Sequence, residues 1–142
     1  MRPIPIFLLL TLSLVAAGDP WTASDVVQPK VVAKDIKTPL LLQVGFDVLY
    51  RAAHITGSVY AGPASKPEGI EALKKAVAGQ PKDREIVLYC GCCPWDKCPN
   101  IRPAFAALHE MGFTRVKVMM VPENLKADWD DKGYPTERRV AQ

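Results

Sequence analysis

The sequence predicts an α/β domain with a mainly parallel sheet flanked by helices. Three observations lead there. Residues 40–44, "LLLQV", form an apolar run bounded by Pro39 and Gly45, as in a strand covered on both faces. Residues 85–90, "EIVLYC", carry Ile86, Val87 and Leu88 without a polar interruption. Between and after these runs lie stretches with helical periodicity, and strands alternating with helices imply parallel crossovers.

Each element follows in order. Pro29 is suited to open a helix, because its missing N–H is no loss in the first turn; "KVVAKDIK", 30–37, continues it up to Thr38-Pro39. After the strand at 40–44, "FDVLYRAA" reads as a short helix, and "HITGSVYAG" as a turn with a short edge strand. In "PEGIEALKKAV" the residues Ile70, Leu73 and Val77 share one face of an amphipathic helix. The strand at 85–90 feeds a loop, then the helix "IRPAFAALHEMGF", with Ala104, Ala107, Leu108 and Met111 inward and Gly112 as its stop. "RVKVMMV" is the next strand, with Met119 and Met120 read as core. "PENLKADWDDKGYP" is a last short helix carrying Trp129 inward and closed by Gly133.

At 142 residues the chain suits one domain preceded by a targeting segment. A charged fraction of 23% beside 49% apolar residues is a globular balance rather than a disordered one. Arg2 followed by the apolar run "IPIFLLLTLSLVAA" and the small residues Val15-Ala16-Ala17 has the form of a signal peptide. Cleavage is expected near Ala17 or Gly18; an uncleaved anchor is the alternative. The run contains no cysteine to carry lipid, and it falls short of the twenty or so apolar residues of a membrane span. The expected organisation is a signal peptide at 1–18, an exposed segment at 19–26, a domain at 27–136 and a tail at 137–142. The protein is then periplasmic or secreted, without stable membrane insertion after cleavage. With a net charge of +3 and basic clusters no longer than Lys74-Lys75 and Arg138-Arg139, a nucleic-acid surface is not expected.

All four cysteines, Cys90, Cys92, Cys93 and Cys98, fall in "YCGCCPWDKCPN". The loop leaves the C-terminal end of a buried strand and enters a helix N-terminus, where ligands of α/β sheets bind and anions are favoured. A thiolate at Cys90 is therefore expected to have a lowered pKa, cradled by N–H groups from Gly91 onward. Lys97 and Arg102 would attract an anion, and Trp95 would shield the loop or meet a partner. Pro94 and Pro99 restrict the loop, and Asp96 is placed to pair with Lys97 or Arg102. His109 reads as a surface residue. Three chemistries stay open: sulfur transfer through Cys90 with the other thiols accessory, thiol–disulfide exchange, and a soft metal held by Cys90, Cys92, Cys93 and Cys98. Cu(I) and Zn(II) are the ions thiolates suit, although a vicinal pair on one short loop departs from the usual two-segment zinc site.

From about Val27 to Thr136 the chain resembles a rhodanese domain. "AHITGSV" is similar to the family's "GHIPGA" segment, "IVLYC" to the strand that ends in its nucleophile, and "ALHEMGF", "VKV" and "WDDKGYP" to its closing elements. The resemblance implies a sulfurtransferase in which Cys90 takes sulfane sulfur as a persulfide, without a cofactor. It implies as partners a small sulfur-containing anion or a partner-protein thiol, and a structural role for His54. The chain departs from the family where the first strand usually ends in Asp with a nearby Arg; here stands "QVGF". Its loop is also longer than the usual cysteine-to-arginine loop, and the Cys-x5-Arg phosphate cradle of related phosphatases is absent.

Overall fold

Residues 18–139 are described by a computed structural model. The expected signal peptide, apart from Gly18, and residues 140–142 of the expected tail lie outside them. The chain runs β1 (Val26–Val27), α1 (Pro29–Val32), β2 (Leu40–Gln43), α2 (Asp47–Ala52), β3 (His54–Ile55), β4 (Val59–Tyr60) and α3 (Pro67–Ala76). It continues through β5 (Ile86–Tyr89), α4 (Ile101–Glu110), β6 (Val116–Met119), α5 (Leu125–Asp128) and β7 (Thr136–Glu137). Five strands form one sheet in the order β1-β6-β5-β2-β4, and every pairing in it is parallel. β5 is therefore the central strand, in register with β2 through Leu42 opposite Leu88 and with β6 through Leu88 opposite Val118. β3 and β7 make a separate antiparallel pair.

Side chains of a strand alternate between faces, and the alternation divides the core in two. Leu42, Val44, Ile86, Leu88, Cys90, Val116 and Val118 face one cluster, with Leu73 of α3 and Ile101, Ala104, Phe105 and Leu108 of α4. Leu41, Val87, Tyr89, Met119 and Val121 face the other, with Leu125 and Trp129. Covering on both faces is what the unbroken apolar runs required.

Several expectations are revised. α1 stops at Val32 rather than 37, because Asp35 Oδ1 accepts from the N–H groups of Lys37 and Thr38 and turns the chain. On α4, Phe105 is buried beside Ala104 and Leu108, while Ala107 and Met111 lie at the margin of the core. The segment 19–26 is not a free lead-in. Trp21 is 8% exposed and packs against Phe105 and Trp95, with ring centroids 5.7 and 5.6 Å away; Val26 and Val27 form the sheet's edge strand on β6. Residues 137–139 are anchored as well: Glu137 belongs to β7, Arg138 bonds Asp130 at 2.6 Å, and Arg139 N–H donates to the Arg51 carbonyl. Among the described residues, no helix is long and apolar enough to cross a membrane.

Candidate functional site

The cysteine loop starts where β5 ends, in the middle of the sheet. Cys90 continues the alternation of Ile86 and Leu88 and so points into the α3/α4 face, only 3% exposed. Gly91 has φ +97° and turns the chain there. This brings Cys92 Sγ back to 3.3 Å from Cys90 Sγ, with Cys93 Sγ a further 3.0 Å from Cys92 Sγ. After a short helical turn at Trp95–Lys97, Cys98 descends into the core beside Cys90. All four sulfurs lie within 4.8 Å of one another. Two are buried, Cys93 is half-buried and Cys92 is exposed. Such a set is suited to a soft metal ion as well as to sulfur chemistry.

Two backbone bonds pin the loop to the strand-to-helix connection opposite. Leu125 N–H donates to the Gly91 carbonyl at 3.1 Å, and Trp95 N–H to the Val121 carbonyl at 2.9 Å. Beneath the loop, Asn100 is fully buried. Its Oδ1 accepts from Ser65 N–H at 2.9 Å, while its Nδ2 lies 3.6 Å from Cys90 Sγ and 4.0 Å from Cys98 Sγ. Gln43, at the end of β2, donates through Nε2 to the Cys90 carbonyl at 2.6 Å; its buried Oε1 has no partner among the described residues. Gly45 leaves the space that Cys90 occupies, since a Cβ there would lie 2.9 Å from Cys90 Sγ.

The electrostatics differ from the expectation. Cys90 is held protonated, well above the ordinary thiol range, by donating its S–H to Cys98 and by burial; the Cys92 N–H opposes this only weakly. Cys98 is lowered to about 6: it accepts from Cys90, and the amides of Asn100 and Ile101 at the start of α4 point at it. Burial raises Cys93 to about 12. The predicted anion-holding amides exist, but they serve Cys98. The reason is loop length: α4 begins eleven residues after Cys90, so its N-terminal amides converge on the thiol three residues before it.

A cleft of about 320 Å³ opens beside Cys90 and Gly91, and Gln43, Leu125, Lys126 and Arg138 are among its walls. Gly91 thus stands where a substrate-binding residue was expected. The others do not line this cleft. Trp95 is half-buried and packs at a tilt against Trp21 on the wall of a separate groove. Lys97 is exposed on the turn. Arg102, offered to an anion or to Asp96, instead bonds Asp19 through Nε at 2.8 Å and lies over Trp21. His54 is buried and bonded to the Tyr50 carbonyl through Nδ1 at 2.7 Å. The polar wall of Gln43, Lys126 and Arg138 was missed. Gln43 had a signal, being the one polar residue in an apolar strand; Lys126 and Arg138 had none.

The sequence matches the rhodanese-like domain family over residues 28–120. The chain belongs to that family. Solved structures agree on the fold. A crystal structure from an Anabaena sp. protein is 19% identical with a TM-score of 0.62, the match covering 81% of this chain and 94% of that one. A Bacillus halodurans protein is 19% identical with a TM-score of 0.61, covering 80% and 76%. A Helicobacter pylori protein is 15% identical with a TM-score of 0.58, covering 81% and 90%. No curated protein matches this sequence. The rhodanese-like chain therefore carries the expected mainly parallel sheet flanked by helices, with its longer loop at the end of β5.

Proposed function

We propose that this rhodanese-like chain is an exported sulfurtransferase that carries sulfane sulfur on Cys90, with Cys92, Cys93 and Cys98 as accessory thiols. One observation carries the reading: Cys90, at the C-terminal end of the central strand, lines a cleft whose wall carries Lys126, Arg138 and Asp130. Strand ends of a parallel sheet are where such sites form; Lys126 and Arg138 are held there by Asp131 and Asp130, so a small anion such as thiosulfate must compete with those carboxylates for them. For attack, the Cys90 proton must cross its hydrogen bond to the Cys98 thiolate, against the preference of the resting pair. The Cys90 thiolate then attacks the outer sulfur of thiosulfate; the new S–S bond forms as the bond to the sulfonate sulfur breaks, releasing sulfite. Cyanide or a partner-protein thiol removes the sulfur and restores Cys90. An oxidising compartment outside the cytoplasm fits the leader-like N-terminus and makes a reductant for the thiols part of the cycle.

The test is thiocyanate formation from thiosulfate and cyanide by reduced protein. Activity is expected, and Cys90→Ser abolishes it. Undiminished turnover in that variant removes Cys90 from the mechanism.

A further inference from the structure

The objection to a metal at this loop was that zinc sites draw their cysteines from two separate segments. The structure removes it. Cys90 belongs to the end of β5, Cys92 and Cys93 to the turn after Gly91, and Cys98 to the entrance of α4. The nine-residue stretch behaves as two anchored elements joined by a short bridge.

The spacing is that of a single ion's ligands. The four sulfurs lie within 4.8 Å of one another, with Cys92 Sγ 3.3 Å from Cys90 Sγ and 3.0 Å from Cys93 Sγ. A tetrahedron with metal–sulfur bonds of about 2.3 Å has edges of about 3.8 Å, so shifts of about half an ångström per sulfur close the set. We propose that Cys90, Cys92, Cys93 and Cys98 together bind one thiophilic cation of the Zn(II) type in tetrahedral four-sulfur coordination.

Four further features support it. The loop is pinned from outside at Gly91 and Trp95, so little ordering cost falls on binding. Asn100 reaches both buried sulfurs with its Nδ2 while its Oδ1 is fixed by Ser65, the arrangement by which outer groups orient metal ligands. Cys92 is exposed and Cys93 half-buried above a floor of Cys90 and Cys98, leaving an entry path. A dication with four thiolates keeps a net negative charge, and the N-terminus of the ten-residue helix α4 faces it. Cu(I) is satisfied by two or three sulfurs and leaves part of this set unused. Binding displaces the protons that the thiols other than Cys98 still hold.

The inference does not rest on sulfur transfer, although it shares Cys90: an ion and a persulfide exclude each other there. Its test uses no sulfur donor. The full chain, reduced and freed of metal under anaerobic conditions, is titrated with Zn(II) against a chromophoric chelator, and its thiols are then alkylated and counted by mass spectrometry. One ion per chain and protection of all four cysteines are expected, and Co(II) in place of zinc gives the absorption of a tetrahedral tetrathiolate. Loss of an outer partner alone weakens metal sites about tenfold or more. Cys92→Ser and Cys93→Ser, at the positions open to solvent, are therefore expected to weaken zinc binding by more than that. Zinc that leaves two or more cysteines open to alkylation overturns the proposal on unmutated protein, as does unchanged affinity in both variants.

Discussion

At Gly45 the side chain is a single hydrogen because Cys90 fills the adjacent space. A Cβ would lie 2.8 Å from the Cys90 carbonyl oxygen and 2.9 Å from its sulfur. Gly45→Ala is expected to cost about 1–3 kcal/mol in overpacking. It should also reduce thiocyanate formation, because relief requires moving Cys90 itself. Urea unfolding beside the sulfur-transfer assay checks both; kinetics equal to the parent's would show that the sulfur is not displaced. Asn100 presents the opposite case, a polar residue that must stay. Replacing it with Ala strands the Ser65 N–H and strips both buried sulfurs of a donor, an expected loss of about 1–3 kcal/mol read from the same unfolding curves.

Elements, not single residues, decide which cation is free to meet an anion. Arg102 stands in the first turn of α4, but Asp19 and Trp21 from the N-terminal segment hold it on the far side of the loop. Arg102→Ala is therefore expected to leave the KM for thiosulfate unchanged and to cost under about 1 kcal/mol, the usual size of a partly exposed pair. A large rise in KM would return Arg102 to the site. The same segment carries Trp21, whose packing on Phe105 and Trp95 fastens the edge strand β1 to the body. Trp21→Ala is expected to cost about 3 kcal/mol as a buried aromatic truncation, seen as a lower Tm. A change within error would mean that the segment rests on the surface without supporting it.

For the molecule as a whole, the parallel sheet does two things at once. Covered on both faces, it supplies the rigid floor, and its central strand delivers Cys90 to the cleft. The proposed sulfur transfer and the proposed metal binding converge on that one sulfur, so they are linked. Zinc binding only the folded chain raises its Tm in proportion to the logarithm of free zinc, and the loaded chain is expected to form no thiocyanate until a chelator removes the ion. Calorimetry across a zinc series and the assay before and after chelation read the two halves separately. Full activity in the zinc-saturated chain would mean that the ion leaves Cys90 free.

Much of this was legible in one dimension. Runs at 40–44 and 86–88, bounded by turn residues, read as strands covered on both sides, and the order of elements, the place of the cysteine loop and the rhodanese resemblance followed from local pattern. Short-range chemistry determines such features, so they can be read residue by residue. The charge on the sulfurs, the release or capture of Arg102, the burial of Trp21 and the arrival of Lys126 and Arg138 beside Cys90 depend on distances between segments far apart along the chain. Only the folded loop decides that the amides of α4 meet Cys98 and not Cys90, because electrostatic attraction follows separation in space and not position in the sequence.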